Sequence, residues 1–119
     1  MAESQFGFDD EGHWNSYPFG INTGEDPVGF LMYALNPAHP KIQTIIQRLM
    51  IDEKHQGKGY GRKAMELLLE EFRANKDIRV VAISYEEYNT GARKLYASLG
   101  CEERGDMTGD EIFAVFDLR

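Results

Sequence analysis

Short runs of apolar residues recur along the chain and predict the strands of a sheet. These runs are Pro18–Asn22, Val28–Leu35, Ile42–Ile51, Val80–Ser84 and Ile112–Leu118. Turn-forming residues separate the first two runs, so we expect their strands to lie antiparallel. Glu102–Arg104 precedes a predicted turn at Asp106–Asp110 and predicts one more strand near the end of the chain.

Two helices are predicted between these strands. Apolar residues recur every four positions from Ala64 to Phe72 and predict an amphipathic helix that stops at Asn75–Asp77. A second helix is expected over Asn89–Leu99, because Gly100 is a natural left-handed cap. The order of strands and helices predicts an α/β fold with a sheet of mixed strand direction.

Length and composition predict one folded domain. The 119 residues are 42% hydrophobic and 12% aromatic, as in a globular protein with a core. We expect an irregular arm over residues 1–17 and a domain over residues 18–119. No apolar run approaches the ~20 residues that cross a bilayer, and no signal segment is recognised, so membrane association is not expected.

Cysteine content and charge narrow the possible environments and partners. The single Cys101 cannot form an internal disulfide, which favours a reducing, cytoplasmic location, and no zinc spacing is present, so no metal is expected. The net charge of −7 disfavours nucleic-acid binding and is compatible with a small cationic substrate.

The glycine-rich segment Gln56–Gly61 lies between a predicted strand and a predicted helix. The start of a helix has unpaired N–H groups and partial positive charge, so glycines there allow a phosphate to approach the backbone. The spacing differs from that of the P-loop and of the dinucleotide fingerprint. A phosphate-bearing cofactor is therefore expected, although a simple glycine-rich turn would produce the same local pattern.

Two motifs together resemble the GNAT superfamily of N-acetyltransferases. Gln56–Gly61 matches the motif Gln/Arg-x-x-Gly-x-Gly/Ala in full. The second motif, Asn-x-x-Ala-x-x-Leu-Tyr-x-x-x-Gly-Phe, is matched by Asn89, Ala92, Leu95, Tyr96 and Gly100, with Cys101 in place of Phe. The resemblance covers Pro18–Leu118, and within the superfamily Arg48–Gly61 looks most like the bacterial spermine/spermidine acetyltransferases.

The resemblance implies a mostly antiparallel mixed sheet flanked by helices, with the usual N-terminal strand and helices missing or reduced. It implies that acetyl-CoA is the co-substrate and that acetyl is transferred directly to an amine, with Tyr96 protonating the departing thiolate. The residues it implies for cofactor binding are Leu49, Met50, Ile51, Gln56, Gly57, Lys58, Gly59, Tyr60, Gly61 and Asn89.

The resemblance, together with the acidic balance of the chain, implies that the acceptor is a small primary amine and favours a polyamine such as spermidine or spermine. Glu86, Glu87 and Tyr85 are candidate substrate-binding residues, and a solvated acidic loop is the alternative interpretation for the two carboxylates. No general base is identified, because Gln47 and Arg48 stand where some polyamine acetyltransferases have carboxylates. A non-catalytic CoA-binding module and a protein N-acetyltransferase remain alternatives, and uncovered strand edges favour a homodimer.

Overall fold

The computed structural model describes residues 14–108 and 111–119. Within these ranges the strands are β1 (Asn15–Thr23), β2 (Asp26–Leu35), β3 (Thr44–Ile51), β4 (Val80–Glu86), β5 (Glu102–Thr108) and β6 (Glu111–Asp117). These six described strands form one sheet in the order β1-β2-β3-β4-β6-β5, and among them only the β3–β4 pair is parallel. The helices are α1 (Tyr60–Ala74) and α2 (Thr90–Ser98), and a single 3-10 turn covers Glu53–His55.

The predicted mixed sheet flanked by helices is confirmed, and two predicted boundaries are wrong. The first strand begins at Asn15 rather than Pro18, because Asn15 and Tyr17 pair with Leu35 and Tyr33 of β2. Backbone pairing therefore holds residues that their polar character alone assigned to the irregular arm. The rest of that predicted arm, residues 1–13, lies outside the described residues.

The second wrong boundary is the predicted turn at Asp106–Asp110. Strand β5 continues through Thr108 and pairs with β6 across a register shift between Glu103 and Met107. Such an irregularity lets a strand continue through residues that favour turns. Gly109 and Asp110 lie outside the described residues.

The main core lies between the helices and one face of the sheet. Met65 and Leu69 of α1 and Tyr96 of α2 join Ile83 and Ala114 of the sheet in one apolar cluster. Each large apolar side chain that is fully buried in this way contributes about 1.5–3 kcal/mol. Alternate residues of the central strands form a smaller cluster on the opposite face, composed of Ile45, Ala82 and Val115.

A buried glutamine closes one end of the parallel β3–β4 pair. The Gln43 side chain is fully buried, and its Oε1 accepts hydrogen bonds from the backbone N–H groups of Arg79 (3.0 Å) and Val80 (2.9 Å). Its Nε2 donates to the carbonyl of His39 at 2.8 Å. These bonds hold the beginnings of β3 and β4 together.

The same two strands separate at their other ends. Residues 44–46 of β3 pair with residues 81–83 of β4, but beyond Ile46 strand β3 pairs only with β2. At this point Ile46 and Arg48 of β3 pair with the adjacent residues Tyr33 and Met32, so Gln47 is the extra residue of a β-bulge. Bulges bend the strand that contains them and are frequent beside active sites. The result is an open gap between β3 and β4.

None of the helices in the described ranges is both long and apolar enough to cross a membrane.

Candidate functional site

Two adjoining cavities occupy the gap between β3 and β4. The loop cavity, about 530 Å³, is bordered by the segment 55–62 and by α2. The strand cavity, about 490 Å³, is bordered by the ends of β3 and β4 and the start of β6. Four residues line both cavities, namely Leu49, Asn89, Ala92 and Tyr96. A molecule that extends from one cavity to the other must therefore pass these four side chains.

The glycine loop has the backbone conformation that a phosphate cradle needs. Gly57 and Gly59 have φ values of 80° and 84°, in the left-handed region that glycine enters at little cost. A Cβ at either position would meet no atom within 4 Å, so both residues face open space. Both line the loop cavity.

The start of α1 is open to an anionic ligand. Gly59 caps the helix without a side-chain hydrogen bond, and the first helical bond runs from the Lys63 N–H to the Gly59 carbonyl at 3.0 Å. The N–H groups that precede Lys63 therefore lack intrahelical partners, and the first turn contains no acidic residue.

Two side chains beside this loop support the same interpretation. The Nδ1 atom of His55 is buried and has no hydrogen-bond partner among the described residues, and His55 lines the loop cavity. The Nε2 atom of Gln56 donates to the Ile51 carbonyl at 2.9 Å, which ties the loop to the end of β3. An orphaned imidazole nitrogen and unpaired N–H groups, with Lys58 in the same loop, fit the phosphates of CoA.

Arg62 connects the first turn of α1 to α2. Its guanidinium donates to the Ser98 hydroxyl at 2.7 Å and lies 3.3 Å from a carboxylate oxygen of Glu66. It also lines the loop cavity, which gives this cavity a permanent positive charge.

The end of β3 supplies an unpaired strand edge to the gap. Leu49 and Ile51 are half-buried and line the loop cavity, whereas Met50 is 56% exposed and lines the strand cavity. The residues after Ile46 have no partner on β4, so their backbone groups on that side are available to a ligand.

Tyr96 lies where the two cavities meet. It is 7% exposed, and burial raises the pKa of its hydroxyl to about 12, with a further contribution from Cys101. This hydroxyl has no hydrogen-bond partner among the described residues. Because the phenol keeps its proton at neutral pH, Tyr96 can act as a proton donor.

Asn89 positions the helix that carries Tyr96. Its Oδ1 accepts a hydrogen bond from the Ala92 N–H at 3.1 Å and caps α2. The side-chain NH₂ group is not used in that cap. Asn89 lines both cavities, so its NH₂ group can contact a ligand that extends through the gap.

Tyr85 lines the strand cavity, and its hydroxyl is fixed by a hydrogen bond to Glu103. It is 6% exposed, and its hydroxyl donates to Glu103 at 2.9 Å, while Arg93 binds the same carboxylate through two nitrogens at 3.0 Å each. Burial raises the pKa of Tyr85, and the Arg93 and Tyr85 hydrogen bonds lower the pKa of Glu103. The Tyr85 ring lies 5.3 Å from the ring of Tyr96, so this network fixes one wall of the site.

The two candidate carboxylates differ in position. Glu86 ends β4 and lines the strand cavity, but Glu87 is exposed and lines neither cavity. The backbone carbonyl of Glu87 accepts a hydrogen bond from Arg93 at 3.4 Å instead. The structure therefore brings Glu86 and not Glu87 to the site.

A second carboxylate also lines the strand cavity and was not predicted from the sequence. Glu111 is the first residue of β6, and its Oε1 accepts a 2.7 Å hydrogen bond from the Ser84 hydroxyl. In the antiparallel register Glu111 lies opposite Glu86. The placement of β6 beside β4 brings them together, and no local pattern in the sequence indicates that neighbour.

Among the described residues, no group of three or more His, Cys, Asp or Glu side chains is placed to hold a metal ion.

Comparison with known proteins agrees with the fold and motifs. The model of the acetyltransferase (GNAT) family matches residues 2–101. A spermine/spermidine N(1)-acetyltransferase of Bacillus subtilis (strain 168) is 31% identical over 101 residues, which cover 80% of this chain and 66% of that protein. A probable spermine N(1)-acetyltransferase of Bacillus subtilis subsp. natto (strain BEST195) is 30% identical over the same shares. The chain thus spans about two thirds of the length of these relatives.

Solved structures show the same fold. An acetyltransferase from Thermus thermophilus has a TM-score of 0.69 and 25% identity, covering 86% of this chain and 64% of that one. Spermidine N-acetyltransferase from Vibrio cholerae, solved with CoA and spermine, has a TM-score of 0.75 at 18% identity, covering 87% and 66%. Because the family model matches residues 2–101, which are most of the chain, the chain belongs to the GNAT family of acetyltransferases.

Proposed function

We propose that this chain transfers an acetyl group from acetyl-CoA to a primary amine of a small molecule, and that the amine is a polyamine such as spermidine or spermine. The observation that carries the proposal is the position of Tyr96 between a cavity suited to phosphates and a cavity lined by carboxylates. A cofactor on one side and a cationic acceptor on the other would meet at this hydroxyl.

The loop cavity is the proposed cofactor site. The N–H groups at the start of α1 bind the pyrophosphate, with Gly57 and Gly59 allowing close approach and Lys58 adding positive charge. The unpaired edge of Leu49–Ile51 binds the extended arm, and Asn89 contacts the same arm. Acetyl-CoA, when bound, supplies an acetyl group activated as a thioester.

Tyr96 is the proposed general acid. As the amine nitrogen bonds to the acetyl carbon and the carbon–sulfur bond breaks, the Tyr96 hydroxyl donates a proton to the sulfur. The phenoxide is then reprotonated by the proton that the acetylated nitrogen loses, so the protonated phenol is restored. Burial raises the pKa of this hydroxyl to about 12, which favours the protonated form.

Transfer is proposed to be direct, without an acetylated enzyme. Burial raises the pKa of the Cys101 thiol to about 12, so this side chain is a thiol and not a thiolate near neutral pH. A thiol is a poor nucleophile, which supports attack by the amine itself.

The strand cavity is the proposed acceptor site. Its two carboxylates, Glu86 and Glu111, suit a cationic amine, as does the net charge of −7. Two curated relatives carry names that refer to spermine, and this supports a polyamine as the acceptor.

A homodimer and a cytoplasmic location remain part of the proposal. Strand β1 is an outer strand of the sheet, and its Phe19 is 46% exposed, which favours pairing with a second copy. Sedimentation equilibrium would show a monomer if the dimer proposal is wrong.

The decisive experiment measures free thiol released from acetyl-CoA with spermidine, spermine, simple monoamines and aminoglycosides, against a no-amine control. Release that depends on a polyamine, with the acetylated amine identified by mass, would support the whole proposal. Tight CoA binding without release would favour a non-catalytic CoA-binding module. Release only with peptides bearing free amino groups would favour a protein N-acetyltransferase.

A further inference from the structure

We infer that Glu111, together with Glu86, binds the second, non-reacting ammonium group of the acceptor and so selects diamines and polyamines over monoamines. The inference rests on the proposed function, because it concerns the acceptor side of the same cleft. It assigns a role to Ser84 on β4 and Glu111 on β6, whereas the glycine loop precedes α1 and Tyr96 lies on α2.

The strand register places the two carboxylates side by side. Glu86 ends β4 and Glu111 begins β6, and the two residues are direct partners in the antiparallel pair. Partners in such a pair project to the same face with Cβ atoms about 5 Å apart. Both line the strand cavity that Tyr96 also lines, so the pair faces the place where the acceptor is proposed to bind.

Like charges at directly opposite positions of a sheet are unfavourable in the free protein. A cation between the two carboxylates removes this repulsion and gains attraction to both. An ammonium group has three N–H donors, so it can reach both carboxylates at once.

Ser84 orients one of these carboxylates. Its hydroxyl donates to Glu111 Oε1 at 2.7 Å, and the contact is partly buried. The other oxygen of Glu111 keeps its full capacity to accept hydrogen bonds from a ligand. The carboxylate is therefore held in place before a ligand arrives, which lowers the entropy lost on binding.

The opposite wall of the cavity carries a positive charge, which repels the same cation. Among the described residues that line the strand cavity, the charged ones are Arg48 on β3 and Glu86 and Glu111 on β4 and β6. Arg48 repels an ammonium, so the second amine of an acceptor is directed toward the carboxylate wall. The first amine then remains near Tyr96, where the acetyl group is proposed to be delivered.

The test compares Glu111→Gln with the wild-type chain and with Glu70→Gln. Glutamine keeps an oxygen that can accept the Ser84 hydrogen bond but removes the charge. Glu70 is exposed on α1 and lines neither cavity, so its variant controls for the change in net charge. The acceptors are α,ω-diaminoalkanes, each paired with the n-alkylamine of the same length.

For Glu111→Gln we expect kcat/KM to fall about tenfold with the diamines, mainly through a higher KM, because a hydrogen bond to a charged group is lost. The fall with the monoamines should be smaller, because they have no second ammonium group, so the ratio of kcat/KM between each diamine and its monoamine should decrease. Glu70→Gln should behave as wild type. Glu111→Asp should restore part of the preference, whereas Ser84→Ala should weaken it. An equal effect of Glu111→Gln on both acceptor classes would overturn the inference.

Calorimetric binding of the diamines to the CoA complex separates this inference from the proposed function. If the wild-type chain releases no thiol but Glu111→Gln binds the diamines about tenfold more weakly, the catalytic proposal fails and the ammonium site stands. If wild type and Glu111→Gln bind them equally, or neither binds them, the inference is wrong even if the enzyme is active. Unfolding temperatures of the variants at or above that of wild type confirm that folding is not the cause.

Discussion

Replacing Tyr96 by phenylalanine tests the proposed general acid with the smallest change in shape. The ring stays in the core, where it packs 5.3 Å from the ring of Tyr85, and only the hydroxyl is lost. That hydroxyl has no hydrogen-bond partner among the described residues, so its removal leaves no partner unsatisfied. We expect the free energy of unfolding to change by no more than about 1 kcal/mol.

The expected loss of turnover follows from the role of the proton. General acids and bases contribute about 100-fold to 10,000-fold to a rate. We expect kcat of Tyr96→Phe to fall by an amount near the lower end, about 100-fold, which corresponds to ~2.7 kcal/mol. The reason is that a thiol has a pKa near 8.5, so its thiolate is already a good leaving group. Affinity for acetyl-CoA should be nearly unchanged, since the proton is needed only as the sulfur departs.

The pH dependence of the wild-type chain offers a second test of the same hydroxyl. Folding raises the pKa of Tyr96 from its usual value near 10 to about 12, so the protonated form is favoured in the folded state. The stability that this shift contributes is present below pH ~10 and is lost as the pH rises toward 12. Proton donation by Tyr96 should therefore not decline between pH 7 and about 9.

The assay is steady-state thiol release with the best amine, beside CoA binding measured by calorimetry. Tyr88→Phe is the matched control, because Tyr88 is 81% exposed and lines neither cavity. A Tyr96→Phe variant with wild-type kcat would refute the acid role. A variant that loses CoA affinity and kcat together would show that the hydroxyl binds the cofactor rather than donating a proton.

Three further predictions follow from the glycine loop, the buried glutamine and the cysteine. Gly59→Ala and Gly24→Ala each force a side chain to positive φ and should each cost about 1 kcal/mol of stability. Only Gly59→Ala should weaken CoA binding in calorimetry. Equal CoA affinities of the two variants would contradict the proposed phosphate site at the glycine loop. Gln43→Ala leaves two backbone N–H groups and one carbonyl without their partner. The free energy of unfolding, measured with denaturant, should therefore fall by about 2–4 kcal/mol. A fall below about 1 kcal/mol would contradict the role of these hydrogen bonds. Cys101, with its pKa of about 12, should react with iodoacetamide at pH 8 far more slowly in the native chain than in urea, and similar rates would show that the thiol is not protected.

The elements that the sequence predicts well are those whose evidence is local. The apolar spacing of Ala64–Phe72 and the glycine cap at Gly100 are properties of a few neighbouring residues, and both helices are found at these places. The glycine loop belongs to the same class, because its position between a strand and a helix is visible along the chain. The start of β1 at Asn15 was missed because pairing with β2, not local composition, makes these residues a strand.

The acceptor side of the site depends on contacts that are distant in sequence. Tyr85 was predicted to bind substrate, but its hydroxyl donates a hydrogen bond to Glu103, 18 residues away. Ser84 and Glu111 are 27 residues apart and meet only because β6 lies between β4 and β5. Nothing in the residues around Glu111 distinguishes it from the other acidic residues of this chain.

One extra residue explains why the two halves of the site differ in this way. Gln47 forms the bulge after which β3 leaves β4, and this separation exposes the strand edge on the cofactor side and the ends of β4 and β6 on the acceptor side. The phosphate-binding part of the cofactor half is one continuous segment, residues 55–62, so its motif must be retained for the phosphates to bind. The acceptor half is built from the ends of three strands, where one side chain can change without disturbing the loop. We therefore expect substitutions at positions 48, 86 and 111 to change the preferred amine while the affinity for CoA stays the same.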